Sequence, residues 1–278
     1  MRIVNEAVLL ISPSVPARFE NRSRMVSSAP AMFQLSDVTL AYGSSRPVLQ
    51  RLNLSILEGE FVTLAGPSGC GKSTLLKLLA GLLKPSSGRV SYAGLPAGEI
   101  PVEAGFVFQQ PALLPWRTAI SNLRLPLELG TQQSARSTDL ELLQLMRQVG
   151  LREEDAHKRP AELSGGMQMR LSLARALVRS PRVLLLDEPF AAVDDLLRMK
   201  LQDDLRRVHE QRGLTTVLVT HNLQEAAWLS DRVLIIQPAP VGITNSIPVP
   251  RTTEGTERRT SAEFHTTLNA LNTALLQS

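Results

Sequence analysis

Cysteine is almost missing: Cys70 is the only one in 278 residues. No disulfide can form within the chain, which fits a reducing compartment. Aromatic residues make up only 4% of the chain. Long apolar runs are also absent, since no stretch approaches the roughly 18 residues needed to cross a bilayer. Runs such as Val183–Leu186 and Val233–Ile236 have the length of strands. Excess charge is small, at +4. That balance leaves no footprint for nucleic acid but permits contact with an anionic membrane surface. Without a spanning run, any membrane role is expected to be peripheral. With 43% hydrophobic and 20% charged residues, the composition is that of a globular chain long enough for one large core or two small ones.

The amino end carries little signal. Met1-Arg2 precedes Ile3 to Ile11, but Asn5 and Glu6 interrupt the run, which makes a poor secretory signal. Residues 1–32 hold Pro13, Pro16, Ser27, Ser28 and Pro30 without periodicity. They read as an unstructured leader, or as a start placed too early, with Met25 or Met32 as the alternative.

Against that background one segment stands out: Gly66-Pro67-Ser68-Gly69-Cys70-Gly71-Lys72-Ser73-Thr74. It follows a short apolar run, Phe61 to Ala65, and opens a leucine-rich helical pattern. This is the phosphate-loop pattern in the strand–loop–helix context that gives it meaning. Glycines let the backbone wrap a phosphate with N–H groups pointing inward, and the helix adds its positive dipole end. Lys72 supplies a point charge for the outer phosphates, and Ser73 a hydroxyl for Mg²⁺. The chain is therefore expected to bind a nucleoside triphosphate.

Leu35, Val38 and Leu40 alternate with polar residues, as do Leu52, Leu54 and Ile56, and both segments read as strands. Leu75, Leu76, Leu79, Leu82 and Leu83 share a helical face, with Pro85 and Gly88 as the expected stop. Strands are expected at Arg89–Tyr92 and up to Phe106-Val107-Phe108. From about 110 to 180 the pattern turns helical, with a capping box at Thr138 and Glu141 and a stop at Gly150. Later strands at Val183–Leu186, Thr215–Thr220 and Arg232–Ile236 alternate with helices, which implies a parallel sheet flanked by helices. Phe264, Leu268, Leu271 and Leu275 form a stripe on a terminal helix, read as packing onto the core.

Two further signals narrow the chemistry. Val183 to Leu186 carries Asp187-Glu188-Pro189 to a strand's carboxyl end, where α/β sheets place ligands. Asp187 suits Mg²⁺ and Glu188 suits polarising a water. Leu163-Ser164-Gly165-Gly166-Met167-Gln168 precedes an apolar helix and makes a second anion-binding helix start.

Together these segments resemble the signature of the ATP-binding cassette ATPases, and the resemblance covers about residues 33–250. It implies an α/β P-loop NTPase fold with a RecA-like mixed-sheet core, an antiparallel β subdomain and an α-helical subdomain at about 110–180. Residues 251–278 remain as a linker and an amphipathic helix. By the same resemblance Ser164, Gly165 and Gly166 face the phosphate loop of a second subunit, so that ATP is clamped between two chains. Gln109 matches the glutamine that senses Mg²⁺ and water beside a membrane partner. His221 matches the histidine on the γ-phosphate, Asp194 the aspartate of the loop crossing the dimer interface, and Tyr42 the aromatic stacked on adenine. His157, His209 and His265 lack such a context and read as structural. The chain departs from the pattern in having Met167 ahead of Gln168, and in Ala191-Ala192-Val193-Asp194, which lacks a small hydroxyl.

Gln110-Pro111-Ala112-Leu113-Leu114-Pro115-Trp116 suits a groove receiving a short helix from a permease, although packing against the chain's own helical subdomain is the alternative. With Asp231-Arg232-Val233 after Trp228, the string resembles importer ATPases for nitrate, sulfonate and taurine. That implies a dimer on the cytoplasmic face of the membrane, an integral membrane permease and an extracytoplasmic solute-binding protein. An exporter subunit and a non-transport cassette remain as alternatives.

Overall fold

The computed structural model describes residues 29–43, 46–96, 103–129, 138–191, 193–237, 242–251 and 256–277. Most of the expected leader, residues 1–28, and Ala192 of the interface loop lie outside these. Two sheets organise the described chain. The smaller is antiparallel, in the order β2-β1-β4-β5, from β1 (Ala31–Leu40), β2 (Leu49–Leu57), β4 (Ser87–Tyr92) and β5 (Leu95–Pro96). The larger has the order β10-β9-β3-β8-β7-β6, from β3 (Phe61–Ala65), β6 (Ala104–Val107), β7 (Val183–Asp187), β8 (Thr215–Thr220), β9 (Arg232–Ile236) and β10 (Ile243–Pro248). All its neighbours run parallel except the β9–β10 pair.

The helices are α1 (Lys72–Leu79), α2 (Ala119–Glu128), α3 (Asp139–Gln148), α4 (Gly165–Leu177), α5 (Asp195–Arg212), α6 (Leu223–Leu229) and α7 (Ala262–Leu276). The larger sheet is covered on both faces, which is why its strands read as continuous apolar runs. Alternation sorts their side chains into two cores. Val62, Leu64, Val183, Leu185, Val217, Val219, Leu234 and Ile236 face α1 and the small sheet. Phe61, Leu184, Leu186, Leu218, Val233 and Ile235 face the remaining helices.

In β1, Leu35 and Val38 are both buried although three residues apart. A register shift between them, with Asp37 at φ 51, inserts the extra residue that restores the inward face. β1 begins at Ala31 and buries Met32, so the small sheet starts two residues ahead of the boundary read from the sequence.

α1 is shorter than its leucine pattern suggests. It ends at Leu79, because Gly81 at φ 63 turns the chain before Pro85 and Gly88 are reached. Leu82 is consequently 60% exposed and lies outside the helical face assigned to it. An eight-residue helix is unstable alone, but Leu75, Leu76 and Leu79 are buried at 0–1% exposure. At about 1.5–3 kcal/mol per buried side chain, packing rather than propensity holds it. The capping box on α3 is present as read, with Thr138 accepting from Glu141 N and Glu141 from Thr138 N. Gly150 follows at φ 78.

α7 lays Phe264 and Leu271 on the core, as its stripe suggested. Arginines tie the segment down. Arg251 donates to the carbonyls of Trp228, Leu229 and Ser230, and Arg258 to those of Ala227 and Trp228. These carbonyls close α6. The Arg259 guanidinium lies 3.8 Å from the centre of the Trp228 ring.

Asp231 joins three parts of this arrangement, accepting from Phe61 N at 2.8 Å and pairing with Arg206 at 3.2 Å and Arg251 at 3.1 Å. Burial pushes its carboxyl up, but Arg206 and Arg251 outweigh burial and hold it below the usual carboxylate range. A depressed folded pKa contributes stability above the ordinary carboxylate pKa, and this is lost as pH falls through the folded value. Asp231→Asn is therefore expected to cost about 1–2 kcal/mol, a few °C in Tm, at pH 7. Thermal scans of both proteins from pH 7 down to pH 3 should show that gap closing; a constant gap would assign the loss to packing.

Candidate active site

The phosphate loop leaves β3 at Ala65 and enters α1 at Lys72. Gly66 sits at φ 158, and a Cβ there would lie 2.3 Å from the Ile236 carbonyl oxygen, so no side chain fits. Lys72 is only 4% exposed. Its ammonium donates to Gly66 O at 2.8 Å and Pro67 O at 2.7 Å, and approaches Cys70 Sγ at 3.7 Å. The loop thus carries a buried cation satisfied by its own backbone, next to the N–H groups that open α1. Thr74 Oγ1 lies 3.3 Å from the Tyr42 hydroxyl, which places that half-exposed ring beside the loop.

Strand alternation explains the next contact. Asp187 follows Val183 and Leu185 onto the face that α1 covers. Ser73 Oγ there donates to Asp187 Oδ1 at 2.8 Å. Burial raises the Asp187 carboxyl, Ser73 opposes that, and the neighbouring Glu188 adds to it. One hydroxyl and one carboxylate are hard oxygen donors of the kind Mg²⁺ takes alongside phosphate oxygens and water, so the pair fits that ion.

Glu188 turns away from Asp187, at φ 45, a left-handed conformation uncommon for a long side chain. Its backbone N–H donates to Val219 O at 3.0 Å. Its Oε2 lies 3.3 Å from His221 Nδ1 and accepts from Gln109 Nε2 at 3.5 Å. Three residues read separately from the sequence thus meet at one carboxylate. Their strands β6, β7 and β8 are adjacent, with β3 next to β8.

The second helix start lies on α4. Ser164 Oγ accepts from Met167 N at 3.3 Å and caps the helix. Gln168 Nε2 donates to Pro160 O and Leu163 O, fastening the approach to the cap. A Cβ on Gly166 would lie 2.2 Å from Leu197 Cδ2, which packs this helix start against the beginning of α5. Asp194 caps α5 by accepting from Leu197 N at 3.0 Å. His209 is buried, with Nδ1 3.0 Å from Thr216 Oγ1, and His157 and His265 are exposed away from this cluster.

The sequence reading missed two residues that hold the loop after Gln109. Buried Asn122 accepts from Leu114 N and donates to the carbonyls of Leu114, Arg117 and Thr118. Arg175 donates to Pro111 O and Ala112 O. A polar residue between Ile120 and Leu123 on the buried face of a helix was the available signal for Asn122. With the loop so held, Leu113 packs on the core while Trp116 stays 69% exposed.

Known proteins resemble this chain in sequence and in fold. The family model for the ABC transporter matches residues 49–191. The aliphatic sulfonates import ATP-binding protein SsuB 1 of Xanthomonas axonopodis pv. citri is 44% identical over 209 residues, 74% of this chain and 82% of that protein. This chain belongs to the ABC transporter family. An SsuB 1 protein of Rhizobium johnstonii is a second ABC relative, 40% identical over 84% of this chain and 83% of its own length. Among solved ABC structures, a bacterial ABC transporter cassette in dimeric form superimposes with a TM-score of 0.71 at 33% identity, covering 79% of this chain and all of that one. A dimeric cassette in a post-hydrolysis state, bound to ADP and Pi, gives 0.70 at 32% identity over the same shares. Mixed sheet, antiparallel sheet and helices agree with the cassette fold expected from the sequence. Among the described residues no helix is long and apolar enough to cross a membrane.

Proposed function

We propose that this chain is the ATP-hydrolysing subunit of an importer for aliphatic sulfonates or related small anions, driving a separate membrane permease. The observation that carries the catalytic part is the meeting of Gln109 and His221 at Glu188, beside the Ser73–Asp187 contact. The sulfonate assignment is supported by the two SsuB relatives and by the Trp116 string.

In this reading Lys72 exchanges the Gly66 and Pro67 carbonyls for the outer phosphate oxygens of ATP, and the N–H groups of Gly69 to Thr74 cradle the rest. Tyr42 stacks on adenine. Ser73, Asp187 and Gln109 would hold Mg²⁺, which would offset charge on the phosphates. Glu188 accepts the proton of the attacking water, and Gln109 orients that water. His221 holds the γ-phosphate, and its contact with Glu188 keeps base and phosphate ligand in register. Ser164, Gly165, Gly166 and Asp194 belong to the surface offered to a second cassette, so ATP joins two copies until it is hydrolysed.

On the cell side, the partners are the permease docked near Trp116 and, beyond the membrane, a solute-binding protein; the chain sits peripherally on the cytoplasmic face. Reconstitution with the permease and binding protein in liposomes tests this. ATP turnover should rise several-fold when an alkanesulfonate or taurine is supplied outside, with uptake of the anion. Turnover indifferent to sulfonate, nitrate and taurine alike would overturn the importer assignment.

A further inference from the structure

We propose that Arg198 and Glu225 form a positioning pair, tying the loop that carries Asp194 to the turn that carries His221. The inference rests on the nucleotide-site reading above and adds residues that take no part in holding nucleotide.

His221 needs such help. Its side chain is 57% exposed, so packing does little to orient the ring, and the backbone on either side must do so. Both sides lead to one buried carboxylate. Before the histidine, Thr220 Oγ1 donates to Glu225 Oε2 at 2.5 Å. After it, Asn222 N donates to the same Thr220 Oγ1 at 3.0 Å, and the Asn222 side chain caps α6 by accepting from Gln224 N and Glu225 N. Glu225 is 4% exposed. A carboxylate so far from water is costly unless charge and hydrogen bonds compensate it.

Arg198 supplies the charge from α5, the helix that Asp194 caps. Its Nε stands 3.7 Å from Glu225 Oε1, and Nη2 donates to Val193 O at 2.7 Å, immediately before Asp194. Nη1 donates to Asp195 Oδ1 at 2.9 Å, immediately after it. The planar guanidinium therefore spans the interface loop on one side and the Glu225 carboxylate on the other, a geometry a lysine cannot reproduce. Movement of Asp194 when a second copy docks is transmitted through Arg198 and Glu225 to Thr220, and so to the ring that faces Glu188.

The test compares wild-type full-length chain with Arg198→Lys, Glu225→Gln, the double variant and Asp204→Asn, a control on the same helix. Readouts are kcat, KM, the Kd for a fluorescent ATP analogue, and Tm. Each single variant should lower kcat about tenfold or more, as small misplacements of reacting groups do. Kd and KM should stay within about threefold, because the pair touches no nucleotide. The double variant should fall no further than the worse single one, since both break one link. Asp204→Asn should keep its kcat. Loss of Tm with kcat intact assigns the pair a purely structural role and overturns the proposal. Losses that multiply in the double variant, or a Kd that weakens in step with kcat, overturn it too. A wild-type chain that neither binds nor hydrolyses ATP brings down the underlying site reading together with the pair.

Discussion

Glu188→Gln is expected to stop turnover while leaving ATP bound. The substitution keeps side-chain length and an oxygen that accepts from Gln109 Nε2, so the loop after β7 has no reason to rearrange. It keeps the backbone at φ 45 no less comfortable than before, because glutamine and glutamate meet the same steric limits there. What it removes is the ability to take a proton from water, and kcat should fall by about 10²–10⁴. Because the phosphate loop, Ser73 and Asp187 are untouched, ATP and Mg²⁺ remain. With its bridging phosphate uncut, the nucleotide should then hold two chains together. Size-exclusion chromatography with light scattering should show a dimer in Mg-ATP that ADP does not support. Rapid hydrolysis by this variant would remove Glu188 from the role of base. A monomer that retains ATP would sink the clamp between copies while sparing the nucleotide site.

Lys72→Ala is expected to fail one step earlier, at binding. The ammonium is 4% exposed and held by Gly66 O and Pro67 O, so the loop keeps a positive charge in place before any phosphate arrives. Removing it takes away a charge-assisted contact to the outer phosphates. A loss of roughly 3 kcal/mol or more follows, or over a hundredfold in Kd. Calorimetric titration with Mg-ATP should show weak or no binding, and Tm should no longer rise with added nucleotide. ATP affinity near that of the wild type would mean that Lys72 serves the loop's own structure and not the phosphates. The two variants thus separate holding ATP from cutting it.

Residues whose roles depend on contiguous neighbours were legible in the sequence. The phosphate loop, Asp187-Glu188 and the helix start at Ser164 each announce themselves in a few consecutive positions, and their strands show an apolar period. Structure adds that Gln109, Glu188 and His221 converge, which follows from the order β8-β7-β6 and not from any spacing along the chain. Arg175 was illegible because the carbonyls it holds lie in a distant stretch of the chain, and the Arg198–Glu225 pair because it joins two different helices. Asn122 bonds backbone groups close by in sequence and left only its polarity on an apolar helix face as a signal. The end of α1 was misread for a different reason. Leucine spacing continues to Leu82 and Leu83, but a left-handed glycine at Gly81 overrides it. Apolar period reports burial only while the backbone continues in one conformation.

The side-by-side arrangement of β3, β8, β7 and β6 makes the sheet a ruler for the chemistry. Neighbouring strands stand about 4.8 Å apart, so the four segments that leave their carboxyl ends sit at fixed intervals across roughly 14 Å. No lid has to swing into place for them to line up within one copy. The same ruler is unforgiving along its other axis. Deleting one residue from β7 would draw the strand back by about 3.3 Å and invert it, sending Asp187 away from Ser73 and into the opposite core. Conservative exchanges of valine for isoleucine along these strands are cheap by comparison, because they alter volume and leave the parity of the strand alone.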